Sequence, residues 1–426
     1  MKNTIKKILG TKNIRIISQV RKTLRIAVYR FFRALYGQKE CLPALKTQIF
    51  SLPNKHVFFG YYDIPQFSNN QRFLLAGAAP LSNSTPSPDQ QLELGFFDLY
   101  EKEPEFQKFA ATGTWCWQQG CRLQWYPYKG INTVIYNTIV NGKYGCIIQN
   151  IDNRNVIKSF TRPVYSVSKD GKWGLSLNFS RLQRLRPGYG YNSLPDGSIN
   201  NLLPDDDGIW RIDLTTGKEK LLFSLQDISK IEPYEGMEGA QHYFNHILFN
   251  PSGNRFMFFH ILQVGNKRII RLLTSSINGD NIYLLNNSGH VSHYCWKNDK
   301  QLLAYATITN QGEGYYLFKD CSKSYKSIGK DILTEDGHPS YLPGNEWLIT
   351  DTYPDKFGEQ LLLLFNTEND NLIELSKEYA PAKFHAETRC DLHPRVGATN
   401  QYICIDCIRK GKRVMKLLDI SSLACA

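Results

Sequence analysis

Seven times along this chain, an aromatic or apolar residue, a polar turn and a hydrophobic strand follow one another. The copies read FSNNQRFLLAG from Phe67, WYPYKGINTVIYN from Trp125, VSKDGKWGLSLN from Val167 and FNPSGNRFMFFH from Phe249. They continue as WKNDKQLLAYA from Trp296, YLPGNEWLITD from Tyr341 and LHPRVGATNQYICID from Leu392. A second hairpin separates consecutive copies, as in Ile209–Leu225 and Leu361–Ser376, so each unit holds four antiparallel strands. The copies start 42 to 58 residues apart, with one interval of 82, which is the period of propeller blades. No long helical periodicity intervenes, and a doubly wound α/β fold is excluded. The pattern predicts an all-β, seven-bladed β-propeller of four-stranded blades over residues 41–426, behind an amphipathic helix within residues 1–40. Within the long interval, Arg181–Asp207 and Gln226–Tyr243 are polar and irregular and are expected to be loops. An early strand, Thr47–Phe59, is expected to pair with Arg413–Ile420 and close the ring, removing edges that would template aggregation.

The net charge of +12 belongs to one segment. Residues 1–39 hold 11 of the 51 Lys and Arg and no acid, leaving 40 bases against 39 acids in the body. A neutral body lacks the basic stripe of a nucleic-acid binder, and no nucleic-acid partner is expected. Ile17, Val20, Leu24, Val28, Phe31 and Leu35 recur at helical spacing, with Arg15, Lys22, Arg25, Arg30 and Arg33 largely opposite. Such a helix suits an anionic membrane surface, contacted through residues 1–37. Packing on the propeller or a targeting role are the competing readings. No apolar run reaches the length of a membrane span, and no secretory pattern is seen. The expectation is a cytoplasmic protein, peripheral at the inner face of the membrane. Of ten cysteines, Cys404 and Cys407 form a C-x-x-C, but strand alternation sends them to opposite faces, against a zinc or redox role.

In a propeller the innermost strand of each blade lines a central channel, and its start shares a face with the end of the second strand. Three residues before the turn-flanking position of a repeat stand Arg122, His246, His293, His338 and Arg389. His260, Asn137, Asn178 and Asp351 are read as ends of second strands, and His290, His385 and His393 lie near strand starts. The insertion, with Arg181, Arg184, Arg186, Tyr189 and Tyr191, is expected to overhang the same mouth. Imidazoles from neighbouring blades, with Asp391, Glu387 or Gln119, suit a divalent metal with an open position. Guanidinium groups such as Arg122, Arg389, Arg181 and Arg186 suit carboxylates. An imidazole-rich, cationic mouth fits an acidic oligo- or polysaccharide and β-elimination at a uronic acid. A neutralised carboxylate acidifies the neighbouring C–H, and a His or Tyr removes the proton. Hydrolysis would call for paired carboxylates flanking the bond, and there is neither a nucleotide-binding signature nor a G-x-S-x-G elbow. For any one histidine, a structural hydrogen bond is the competing reading.

At these residues the chain resembles the seven-bladed propeller polysaccharide lyases, chiefly the oligogalacturonate lyases and more loosely the ulvan lyases. His246, ahead of Asn250-Pro251, resembles the family's proton-abstracting histidine. His293 in SHYCW resembles a metal ligand, and His393-Pro394 in CDLHPR resembles the last histidine of a His-Pro-His-Pro metal motif. Asp391 stands where that motif has its first histidine, no residue matches the family's catalytic arginine, and Gln118 and Gln119 stand near where ulvan lyases use histidine. The resemblance implies a lyase-like protein with His246 as its base, and the residues' own placement at the mouth adds Arg389, Tyr189 and Arg122 as catalytic candidates. Gln119, Asn137, Arg181, Arg186, Tyr191 and His260 are the candidate substrate contacts. His293, His338, His393 and Asp391 are the candidate ligands for Mn, Ca or Zn. The alternative is a non-catalytic or glycosyltransferase-associated propeller in bacterial surface-polysaccharide biosynthesis at the inner membrane.

Overall fold

A computed structural model describes residues 17–31, 42–234 and 236–423. The strands form seven four-stranded antiparallel sheets. Blade 1 runs from β2 (Lys55–Phe58) to β5 (Gln107–Thr112), blade 2 from β6 (Gln124–Trp125) to β9 (Val156–Phe160) and blade 3 from β10 (Ser166–Val167) to β13 (Glu219–Ser224). Blade 4 runs from β14 (Gln241–Phe249) to β17 (Tyr283–Gly289), blade 5 from β18 (Val291–Asn298) to β21 (Tyr325–Ile328) and blade 6 from β22 (Ser340–Tyr341) to β25 (Leu372–Tyr379). Blade 7 joins β26 (Arg395–Val396), β27 (Tyr402–Arg409) and β28 (Lys412–Asp419) to β1 (Lys46–Phe50). Within each blade the strands alternate in direction. The connections between blades and the turns from second to third strands therefore share one end of the ring, called here the mouth.

The polar turn of the repeat has a physical function. Ser68 and Ser168 accept the amide N–H of the residue five further on, each at 2.9 Å, and Asn250 does so at 3.1 Å. A side chain that satisfies a turn amide frees the backbone to reverse direction, which is why Ser and Asn stand there. Aromatic and aliphatic side chains then fill the space between blades, as where Phe223 packs among Phe244, Phe256 and Phe258.

Three expectations change in detail. The segment 47–59 is two strands, because the turn at Pro53-Asn54 breaks it. β1 pairs with β28 from Lys46↔Asp419 to Phe50↔Met415, while β2 opens blade 1, so one short segment ties the last blade to the first. The insertion is not wholly loop: α2 (Phe179–Leu185) is capped by Asn178, which accepts the Arg181 amide at 2.9 Å, and buries Phe179, Leu182 and Leu185. The second irregular stretch overlaps α3 (Leu225–Ser229), closed by a Ser224–Asp227 capping box. Helices of seven and five residues are too short to show a period, and their caps were the only sequence signal. Residues 17–31 form a helix, α1. Cys404 and Cys407 lie in different core clusters on opposite faces of β27.

Candidate functional site

The blades bring histidines to one register. The inner strands of blades 4 to 7 carry a pair at or next to the turn, Phe249↔Phe256, Trp296↔Leu302, Tyr341↔Leu348 and Val396↔Ile403. Three residues before Phe249, Trp296, Tyr341 and Val396 stand His246, His293, His338 and His393. Four consecutive blades therefore each deliver one imidazole to the channel. The blade 7 strand begins at Arg395 rather than near Leu392, so His393 holds the equivalent position and Arg389 lies above it, nearer the mouth. Blade 2 has Arg122 at this position.

Local backbone strain accompanies this placement. His246 has φ +53° at a register shift in β14 between Asn245 and Leu248, and His393 has φ +44°. A left-handed conformation is costly for a residue with a Cβ, and such outliers gather where a side chain must be aimed.

The rings are close together. The centroids of His293 and His338 are 4.0 Å apart and those of His338 and His393 4.4 Å apart. Donor atoms of His338, Asp391 and His393 all lie within 4.8 Å of one another. Carboxylates orient the imidazoles from behind: Asp336 meets Nδ1 of His293 at 2.8 Å, and Asp351 meets Nδ1 of His338 at 2.7 Å. Asp351 also accepts the His393 amide at 3.1 Å. Such partners fix the Nδ1–H tautomer and turn Nε2 inward. Nε2 of His338 and Nε2 of His393 are buried without a hydrogen-bond partner. Asp391 accepts from Nε of Arg389 at 2.6 Å. Burial opposes the charge on Asp391, but the Arg389 guanidinium and neighbouring histidines outweigh it and hold its pKa below the ordinary range. Two orphaned imidazole nitrogens beside an ionised carboxylate fit a divalent metal, since buried polar atoms left unpaired are costly unless something binds them.

His246 faces this cluster. Burial, with the charges of Arg186, His293 and Arg122, pushes its pKa well down, so it is a neutral imidazole able to accept a proton. Nδ1 lies 3.2 Å from the Tyr165 hydroxyl, which also accepts from Gln119 at 2.7 Å, leaving Nε2 as the nitrogen for substrate. Tyr61 stacks on the His246 ring at 5.2 Å and 21° and touches His338 and His393 edge-on. Toward the mouth, Arg186 stacks over Tyr189 at 4.3 Å, and Arg389 lies 4.9 Å above Tyr353. Tyr189 meets His246 edge-on at 5.7 Å. Arg389 keeps 31% of its side chain exposed while Asp391 has none exposed, so the guanidinium groups form the lip and the imidazoles the floor.

Other predicted residues are placed elsewhere. Arg122 is wholly buried in an ion pair with Asp63 at 2.9 Å and donates to the Tyr165 carbonyl. Arg181 spends its guanidinium on the carbonyls of His242, Asn201 and Leu202, pinning the insertion. Asn137 bridges to the Val164 backbone and the Tyr191 hydroxyl, and Tyr191 stacks on Phe179 at 4.3 Å. His260 is paired with His242 and Arg271. Asn137 and His260 were expected at strand ends, but β7 (Thr133–Val140) and β15 (Arg255–Val264) run past them and bury them inside blades. Gln119 is buried beside Tyr165 with Oε1 unpaired.

Sequence reasoning missed Tyr61, Tyr62, Asp336 and Tyr353. The signal for the first two is Gly60 and Gly120: a Cβ on Gly60 would sit 2.9 Å from the Gln119 carbonyl carbon, and one on Gly120 2.9 Å from the Phe59 oxygen. Only glycine permits that approach, which carries Tyr61 and Tyr62 into the channel.

No protein-family model matches this sequence, and none of the curated proteins does. Among solved structures, an oligogalacturonate lyase in complex with manganese superposes with a TM-score of 0.62 at 12% identity, covering 89% of this chain and 98% of its own. An oligogalacturonate lyase from Vibrio parahaemolyticus gives 0.59 at 11% identity, covering 90% and 99%. The chain has the oligogalacturonate lyase fold. Both lyases are spanned almost end to end, so the shared architecture is the whole propeller.

Proposed function

We propose that this propeller binds an acidic, uronate-containing glycan and cleaves it by β-elimination, with His246 as the base. The reading rests on one observation: a buried His246, packed on the same Tyr61 ring that touches His338 and His393, stands beside a cluster whose His338 and His393 nitrogens are unpaired. His338, His393 and Asp391, with His293 adjacent, are the residues that would hold a divalent metal, and manganese is the ion named for the similar lyase structure. When bound, such an ion supplies positive charge that neutralises a uronate carboxylate and so acidifies the neighbouring C–H. Arg186 and Arg389 at the lip draw and orient acidic groups. Nε2 of His246 takes the proton, and the glycosidic oxygen leaves as the double bond forms. Tyr61 on one face and Tyr189 on the edge keep the imidazole neutral and dry. The comparisons lend no support to a non-catalytic role in surface-polysaccharide assembly.

The test is ultraviolet absorbance of the conjugated uronate product from a panel of uronate polymers and oligomers, with Mn, Ca or Zn supplied. Turnover on at least one substrate is expected, and His246→Ala should lower it by about 10²–10⁴-fold, the worth of a general base. No product from any substrate with any of the three metals overturns the reading. Full activity in the variant removes His246 from the base position.

A further inference from the structure

Helix α1 lies on the mouth side of blade 6, and its apolar stripe faces away from the propeller. Ile26 is 3% exposed and its Cδ1 lies 3.3 Å from where a Cβ of Gly358 would stand. Tyr29 meets Phe357 edge-on at 5.8 Å, Arg30 stacks on Tyr379 at 4.3 Å, and the Gln19 amide is 2.9 Å from Nε2 of His385. Gly358 belongs to the turn between β23 (Trp347–Asp351) and β24 (Glu359–Asn366). His385 belongs to the connection that goes on to Arg389, Asp391 and His393. The helix is therefore docked on the same loops that build the lip and the metal cluster.

On the other side Ile17, Val20, Leu24 and Val28 are 42%, 52%, 61% and 51% exposed. At 3.6 residues per turn these four span an arc of about 80°, and Ile26 lies nearly opposite. Arg21 and Arg25 border the stripe on one flank and are exposed, as is Lys22. No acid occurs in residues 1–39. Among the described residues no helix is long and apolar enough to cross a membrane.

We propose that α1 seats the propeller on an anionic lipid surface with its mouth toward the bilayer. A flat-lying helix buries an apolar stripe of this kind at the headgroup boundary, and the bordering cations meet anionic headgroups within a Debye length. Charge decides the occupant: an apolar stripe bordered by cations, on a segment with no acid of its own and with Glu359 meeting Arg30 on the docked side, complements a negatively charged surface. The docking face and the lip share one connection, so the mouth stands about one helix diameter, roughly 10–12 Å, from the headgroups. An acidic glycan held at the membrane surface is then presented to the channel.

Sedimentation of the full chain with phosphatidylcholine vesicles, with and without phosphatidylglycerol, tests this with no glycan present, so its result is separate from the lyase reading. Binding at least about tenfold stronger to the anionic vesicles and weakening with salt is expected. Leu24→Glu with Val28→Glu, and separately Arg21→Glu with Arg25→Glu, should each lower it about tenfold or more. Circular dichroism should be unchanged, because Leu24, Val28 and Arg21 lie off the docking face and Arg25 meets it only by lying over the Tyr29 ring at 5.7 Å. Equal binding to neutral vesicles, no binding at all, or wild-type binding by the Leu24/Val28 pair overturns the proposal. So does a dimer in lipid-free solution that the Leu24/Val28 pair dissolves, which would make a second copy the occupant.

Discussion

Blade 4 and the blades that follow it hold two groups of buried histidines that differ in what their second ring nitrogen does. In the first, His242, His260 and Arg271 form a closed chain. Arginine only donates, so Nδ1 of His260 accepts from Arg271 at 3.2 Å, its Nε2–H donates to Nδ1 of His242 at 2.9 Å, and both ring nitrogens of His260 are occupied. Arg271 also donates to the Ile231 and Glu232 carbonyls, tying the segment that follows α3 to the blade. In the second group, Asp336 and Asp351 occupy one nitrogen of His293 and His338, while Nε2 of His338 and Nε2 of His393 stay unpaired in the channel. Burial and residue type are the same in both. Satisfied imidazoles are scaffold, and imidazoles satisfied on one side only form a site.

The distinction is open to direct attack. The largest effect belongs to the open group: His338→Ala or His393→Ala should weaken manganese binding by about 100-fold or more, since one ligand and its aimed nitrogen are lost. Calorimetric titration reads this, and unchanged affinity would show that the unpaired nitrogens have no ligand role. The closed group should respond in stability instead. His260→Ala leaves Arg271 short of a buried acceptor and opens a cavity, costing about 2–4 kcal/mol in urea unfolding. Manganese affinity should stay at the wild-type value, because no ligand atom changes. A metal defect in this variant, or none in stability, would erase the difference between the groups.

The blades were legible because strand, turn and strand recur with enough amplitude to survive without homologues, and because Ser68, Ser168 and Asn250 serve a turn of fixed geometry. The site was legible only where the repeat register was. Counting from a turn residue located His246, His293 and His338, and it missed the equivalence of His393 because Pro394 and Gly397 disguise where β26 begins. Second-strand lengths carry no comparable mark, so His260 and Asn137 were expected at the mouth when their strands continue past them. Arg122 and Arg181 show a further limit. A guanidinium reads the same in sequence whether it will meet a substrate, a buried carboxylate such as Asp63, or five backbone and hydroxyl oxygens. Tyr61 was hidden because its position depends on two glycines 60 residues apart packing against each other.

The smallest predicted effect sharpens what a scaffold histidine does to the whole fold. His56, on β2, accepts the Arg413 amide at Nδ1 at 2.9 Å and lies against Trp117 and Phe384. Burial, then the charges of Arg413 and Lys383, lower its pKa from 6.5 to about 4. Below pH 6.5 the unfolded chain takes up a proton that the folded one refuses until about pH 4, so unfolding is favoured as pH falls through that window. Above pH 6.5 both states are neutral and the term vanishes. In His56→Asn, whose Oδ1 stands where Nδ1 was, urea midpoints measured between pH 6.5 and 4 should fall less steeply than in the wild type, by about one proton's worth of slope. Equal slopes in the two proteins would mean that His56 is protonated in the folded state. The Arg413 amide would then face a charged ring, and the closed scaffold of blades 7 and 1 would be held by something other than that hydrogen bond.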